Sequence, residues 1–297
     1  QDFDIFVFDD ASKEPVEQVL KKLKDKRIHF IGNDKNIGVE DNINRILSYP
    51  FKSEYLVIFH DDDTMHPKMI EAQTSFLDNN KEVIFVLTNS NIVSSKNIRK
   101  FKNFNKDKME YFIYKNNYYE FIKVVMLWVK YAFDSAMYRV NFIGESRVEP
   151  EKFSDFIDVV FLMKMSTKGH SALINAPLMN YRFHRGQHSK IQKENYEKGA
   201  IGMLEYIRST FSCFFNKDDE RLFRKYSINF LLRICSDISR GFFYSLSLLK
   251  KWRQHEYIRY GNFKYIDVRG IISILSILFR SRKIIDIARW IRNSFQL

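Results

Sequence analysis

The sequence predicts an α/β fold with a parallel sheet, followed by an all-helical extension. Three observations carry this prediction. Short apolar runs alternate with helix-periodic segments from Asp4 to Leu87. Two of those runs end in clustered aspartate, at Asp9-Asp10 and at Asp61-Asp62-Asp63. From Asn195 onward the alternation stops and long helical stripes take over.

Taken in order, Asp4 to Phe8 reads as a strand closed by Asp9-Asp10-Ala11-Ser12. Pro15 to Leu23 spaces Val16, Val19, Leu20 and Leu23 at helical intervals, and Arg27 to Ile31 is the next strand. After the turn-like Asn36-Ile37-Gly38, residues Val39, Ile43, Ile46 and Leu47 form one helical face. Tyr55 to Phe59 is a strand that runs into three aspartates, and Pro67 opens a helix, where its missing N–H is not needed. Val83 to Leu87 is a strand. Tyr111 to Tyr131 is expected to be helical, Asp134 to Val140 extended, Phe142 to Asp155 loop-like and Phe156 to Lys168 helical. Ser171 to Ile174 reads as a short strand ended by Ala176-Pro177. Helices are expected over about 195–211, 218–237, 240–255 and 270–293.

Composition bounds the class. The 297 residues are 45% hydrophobic and 16% aromatic, which suits a folded core and excludes a disordered chain. Cys213 and Cys235 carry no motif and read as two buried thiols in a reducing compartment. The net charge is +12, and from Ala200 onward 18 Lys/Arg face 8 Asp/Glu, a net of +10. The basic character therefore belongs to the tail, which points to an anionic surface such as a membrane face. The aromatics follow core stripes and no recognition motif is present, so nucleic acid is not expected as a partner. The best apolar stretch, Gly270 to Phe279, is too short to span a bilayer. The chain begins at Gln1, directly before a strand, and reads as N-terminally incomplete.

Strand ends that converge on the carboxyl side of an α/β sheet are where such sheets place ligands. Three adjacent carboxylates repel one another unless a cation sits among them, and hard oxygen donors suit Mg²⁺ or Mn²⁺. An N-terminal cap for the helix after Pro67 explains the same acids, and both readings fit different residues. The dense polar segment Arg182 to Ser189 reads locally as a solvated loop.

These segments together resemble the family 2 glycosyltransferases, which have the A-type nucleotide-sugar-binding fold (GT-A). Phe8-Asp9-Asp10-Ala11-Ser12 resembles the family's second-strand ending, and Asn36-Ile37-Gly38 with Asn42 resembles its N-x-G turn and helix. His60-Asp61-Asp62-Asp63 before Pro67 resembles the DxD region, and Tyr181 to Ser189 matches a late YRxHxxxxS segment. The resemblance covers about residues 1 to 190. It implies a GT-A-type mixed, mostly parallel sheet flanked by helices, with a transferase domain at 1–192 and a basic helical extension at 193–297.

The resemblance also implies roles. Asp9 and Asp10 would meet the nucleoside of the donor, with Asn36 and Gly38 shaping that pocket. Asp62 and His184 would hold Mn²⁺ or Mg²⁺, and Asp61 and Asp63 would support the donor. Arg182 and Arg185 would face the diphosphate. Asp158, eleven residues before Gly169, would be the catalytic base, with Asp155 as runner-up. The expected activity is inverting transfer of a sugar from a nucleotide-sugar, UDP-linked, to a hydroxyl of a surface glycan or lipid-linked saccharide. The expected location is cytoplasmic, at the inner face of the cell membrane. Three departures stand against this. The family's first strand with its PxYN ending is absent, His60 replaces the first Asp of DxD, and Ile157-Asp158 replaces a Glu-Asp pair. They motivate a second expectation, a non-catalytic nucleotide-sugar-binding or scaffold protein on the same fold.

Overall fold

The structure, a computed structural model, describes residues 2–94, 98–99, 110–127, 132–184 and 195–238, together with residues 252, 266, 270, 271, 273 and 274. Its elements run β1 (Ile5–Asp9), α1 (Val16–Lys22), β2 (Ile28–Gly32), α2 (Val39–Ser48), β3 (Tyr55–Val57), β4 (Thr64–Met65), α3 (Met69–Asn79) and β5 (Val83–Ser94). They continue with β6 (Ile98–Arg99), β7 (Tyr111–Tyr114), α4 (Glu120–Met126), β8 (Met137–Arg139), α5 (Val140–Ile143), α6 (Pro150–Phe153), α7 (Ile157–Ser166) and β9 (His170–Phe183). Two helices follow, α8 (Tyr196–Phe211) and α9 (Lys217–Ile238). The expected α/β fold with a C-terminal helical region is what is found. The helices expected over 240–255 and 270–293 lie almost wholly outside the described residues.

The strands form two sheets. β1 and β2 pair in parallel, from Ile5 opposite Ile28 to Asp9 opposite Gly32. The larger sheet has the order β3-β8-β5-β9-β4, with β6 beside β5 and β7 beside β9. Its axis is the parallel pairing of β5 and β9, which continues from Val83/His170 to Ser94/Phe183. Short antiparallel pairs of β3 with β8 and β4 with β9 complete it.

Three local expectations are corrected. β9 does not stop at Ile174. It passes through Pro177, the register partner of Asn89, and reaches Phe183; the register shifts at Thr88/Asn89 and Asn89/Ser90 make an irregular stretch of the ladder in which a residue without an N–H is tolerated. Tyr111 to Tyr131 is not one helix: Tyr111 to Tyr114 pairs with β9 as an edge strand before α4 begins. Tertiary pairing outweighs the helical pattern there. The segment from Phe142 to Asp155 carries the short helical turns α5 and α6. Cys213 is also exposed, while Cys235 is buried, and the two are not joined in a disulfide.

Two features hold the site-bearing elements in place. Arg139 on β8 is buried, and its guanidinium donates to the carbonyls of Val83 (2.9 Å) and Leu77 (2.6 Å) and to Glu54 Oε1 (2.8 Å). Bonds to three segments satisfy a charge that would otherwise be costly to bury. The C-terminal helices then dock on the other side. α8 buries Ala200, Met203, Leu204, Ile207 and Phe211 in the same core as Phe85, Tyr138 and Phe161. The approach is close. A Cβ on Gly199 would stand 2.2 Å from the Phe153 carbonyl oxygen, so only glycine lets α8 rest on the turn that leads into Asp155 and Asp158.

Candidate functional site

The first acidic strand end organises its own turn. Asp10 Oδ1 accepts from the Ile37 N–H and Asn33 Nδ2, both at 2.8 Å, and Oδ2 accepts from the Gly38 N–H at 2.9 Å. Asn36 Nδ2 donates to the Asp10 carbonyl at 3.0 Å. Burial works against the charged form, but the Ile37, Asn33 and Gly38 donors outweigh it and hold the Asp10 carboxyl below the usual range. Gly38 has φ +91° and ψ 157°, a conformation open essentially to glycine alone, and it precedes α2. Asp9 does less, with Oδ2 accepting from the Ser12 N–H at 3.2 Å. The link to the larger sheet is α2. Asn42 Nδ2 donates to the Phe8 carbonyl at 3.1 Å, while Ile43 and Leu47 are buried in the main core.

The second acidic end is stitched to β9. The Arg182 backbone N–H donates to Asp63 Oδ1 at 2.6 Å, and Arg182 Nε donates to the Asp62 carbonyl. His184 Nε2 lies 2.9 Å from Asp62 Oδ2. Long-range pairing thus draws the late Tyr181-Arg182-Phe183-His184 run onto the aspartates, where local sequence gave only a solvated loop. Asp61 is exposed. Arg185 lies outside the described residues.

Ligand atoms of His60, Asp62 and Asp63 all lie within 4.8 Å of one another. Asp63 is 8% exposed, and its Oδ2 has no hydrogen-bond partner; nor has His60 Nε2. One imidazole and two carboxylates, with buried acceptor atoms left over, fit a divalent first-row ion. The residue that sequence reasoning missed is Asp134. It is 1% exposed, and its Oδ2 stands 4.0 Å from His60 Nδ1 without a hydrogen bond of its own. Burial, then Asp63 and Asp62, pushes its carboxyl up to about 9. A single acid in Phe133-Asp134-Ser135 carries no local signal for any of this.

Asp158 opens α7 and accepts from the Val159 N–H at 2.6 Å. Its side chain reaches the surface at the start of the helix, yet the surrounding protein desolvates the carboxyl. Burial there raises the carboxyl above its ordinary range, while Val159 N–H and the nearby His60 pull it down. The buried Tyr138 phenol is raised well above its ordinary range by burial, then by Asp158 and Asp134. His60, Asp134, Tyr138 and Asp158 therefore share one electrostatic neighbourhood. Asp155 is half-buried in the turn before α7.

Comparison with known proteins gives a family match for part of the chain. Residues 1–144 match the family model "Glycosyl transferase family 2". Those 144 residues are just under half of the 297-residue chain. An uncharacterized glycosyltransferase of Methanocaldococcus jannaschii is 31% identical over 107 residues, 33% of this chain. That match spans only 37% of the relative's own length. Among crystal structures, S. aureus TarS 1–349 in complex with UDP-GlcNAc superposes with a TM-score of 0.51 at 14% identity, over 92% of this chain and 82% of TarS 1–349. A longer S. aureus TarS chain gives 0.54 at 12% identity, over 92% and 49%. At such identities the likeness is one of fold. It extends past the family 2 segment, since residues 1–144 hold the aspartate cluster and Asp134, while Asp158 and His184 come from the chain beyond.

Proposed function

We propose that this chain is an inverting, metal-dependent glycosyltransferase. It moves a sugar from a nucleotide-sugar, UDP-linked, to a hydroxyl of a surface glycan or lipid-linked saccharide. The observation that carries the reading is the gathering of His60, Asp62 and Asp63, with Asp158 in electrostatic reach of His60. The family 2 match of residues 1–144 supports the same reading.

In this reading Asp62, with its neighbours His60 and Asp63 and with His184 against it, holds Mn²⁺ or Mg²⁺. A bound divalent ion there neutralises the charge that develops on the departing diphosphate oxygen. Asp10 has three of its four acceptor positions filled by the turn, leaving one for an N–H of the base, and Asp9 flanks it. Asn36 and Gly38 keep that turn in shape. Arg182 faces the diphosphate, with Asp61 at the rim beside it. Asp158 takes the proton of the acceptor hydroxyl as it attacks the anomeric carbon from the face opposite the leaving group, which inverts that centre. The raised carboxyl of Asp158 suits a base that must later release its proton.

The domain division follows the same lines, with transfer at 1–192 and a basic extension at 193–297 directed to an anionic membrane face. Among the described residues no helix is long and apolar enough to cross a membrane. Flotation of the full chain with anionic liposomes tests the extension, and absence of binding at low salt sinks it. The flank of β1 and α1 is open: Ile5, Val19 and Leu23 are 41%, 52% and 59% exposed, and α1 buries no residue. That open flank equally favours the second reading, a non-catalytic binding or scaffold protein.

The test is a thermal-shift screen of nucleotide-sugars with and without Mn²⁺, followed by turnover. A ligand that binds only the native state raises its melting temperature. A metal-dependent shift with turnover supports the transferase. A shift without turnover selects the scaffold, and no shift with any nucleotide removes both.

A further inference from the structure

We propose that His60 is itself a metal ligand, held in place by the buried carboxyl of Asp134, and that this nitrogen donor makes the site favour a first-row transition ion over Mg²⁺. The inference deepens the metal-dependent reading above and rests on it. By sequence, His60 stands where the family pattern has an aspartate, which reads as the loss of a carboxylate. By structure, it belongs to the cluster: its ring nitrogen is within 4.8 Å of oxygens on both Asp62 and Asp63.

The second observation is the set of atoms left without partners around it. His60 Nε2, Asp63 Oδ2 and Asp134 Oδ2 are all buried and lack hydrogen bonds. Each unpaired buried polar atom costs about 1–3 kcal/mol. Two of these atoms sit on residues of the cluster, His60 and Asp63, and indicate a shared partner. Asp62 and Asp63 bring carboxylate oxygens to it, so that partner is a cation, and the imidazole lone pair selects among cations. Mg²⁺ takes oxygen donors and keeps its waters, whereas transition ions accept imidazole readily.

Asp134 supplies what an imidazole ligand needs behind it. Its Oδ2 lies 4.0 Å from Nδ1 and it is 1% exposed, so the carboxyl cannot turn to solvent. A carboxylate behind a ligating histidine fixes the ring and raises its basicity. Asp134 is thus a positioning residue. The pair comes from different elements, His60 from the end of the β3 run and Asp134 from the turn before β8, and the antiparallel pairing of β3 with β8 brings the two segments together.

The experiment is calorimetric titration of Mn²⁺, Co²⁺ and Mg²⁺ into the metal-stripped full chain, alone and with UDP. It is joined to electron-spin-echo measurement of ¹⁴N coupling to bound Mn²⁺. The expected result is transition-ion binding about tenfold or more tighter than Mg²⁺, with ¹⁴N coupling that is reduced in His60→Asp and is still present in His184→Gln. His60→Asp should also narrow the Mn²⁺/Mg²⁺ ratio. Asp134→Asn should weaken Mn²⁺ binding by about 10–100-fold while the ¹⁴N coupling remains. Circular dichroism confirms that each variant is folded, and the coupling in the unsubstituted protein needs no variant. If Mn²⁺ binds without ¹⁴N coupling, if the coupling is unchanged in His60→Asp, or if it is wholly lost in His184→Gln, His60 is not the ligand and the transferase reading stands. If no ion binds with or without UDP, both readings fall.

Discussion

His184 and Asp62 are 122 residues apart in sequence, yet Nε2 of one lies 2.9 Å from Oδ2 of the other. The contact exists because β9 continues past Pro177 and lays Arg182 and His184 along the aspartates. The roles proposed for Arg182 and His184 depend on that continuation.

The first prediction concerns Asp62. Asp62→Asn keeps the volume and removes the charge that faces both His184 and the ion. Turnover should fall by about 10²–10³-fold, the cost of losing one charge-stabilising group at a developing oxyanion. Mn²⁺ affinity measured by calorimetry should fall with it. Unchanged turnover would move the metal to other residues.

Asp158→Asn should separate chemistry from binding. Loss of a general base costs about 10²–10⁴-fold, so kcat should drop by that order while UDP still shifts the melting temperature. Asp155→Asn is the control. A larger loss at Asp155 than at Asp158 would exchange their roles.

The third prediction is a pH dependence of stability in the metal-free protein. Asp134 has an ordinary value of 3.8 and is pushed up to about 9, by burial first and then by Asp63 and Asp62. Its folded value lies above its unfolded one, so its contribution is fully present below about 3.8. It is lost as pH rises through about 9, because the unfolded chain gives up the proton first. In the presence of EDTA, Asp134→Asn should therefore gain on the parent protein as pH rises from 5 to 9, read as melting temperature. Saturating Mn²⁺ should reverse the order, since binding to the native state stabilises it. A difference that stays flat with pH would show that Asp134 carries no such strain.

The nucleotide-side turn offers a test without any ligand. Gly38→Ala forces a side chain into a conformation at φ +91° that L residues avoid, at a cost of about 1–3 kcal/mol. The cost is one of backbone and not of space, because the nearest atom to a Cβ there would be Glu40 Oε2 at 3.7 Å. Urea unfolding should show that loss. Gly199→Ala should do worse, because its Cβ meets the Phe153 carbonyl oxygen of a neighbouring helix.

Much of the fold was legible along the chain. β1, α1, β2, α2 and α7 fall where periodicity places them, because each is decided by neighbours within a few residues. So were the aspartates after β1 and β3, since clustered acid at a strand end is a local pattern. β9 was not, because Pro177 is a strand breaker read alone and a tolerated bulge read against β5. Tyr111 to Tyr114 escaped for the same reason: an edge strand exists only through its partner.

The sequence by itself determined the order of strands and helices, the two acidic ends and the basic tail. These follow from short-range hydrophobic spacing and from charge, which need no third dimension. Only the tertiary structure decided which of the acids meet. It set Asp134 beside His60, drew His184 onto Asp62 and put Asp158 within electrostatic reach of His60. Sheet pairing and burial do this by uniting segments far apart in the chain, and burial then changes the chemistry of the side chains it encloses. In the sequence His60 is only a departure from DxD; the fold brings its ring within 4.8 Å of oxygens on Asp62 and Asp63.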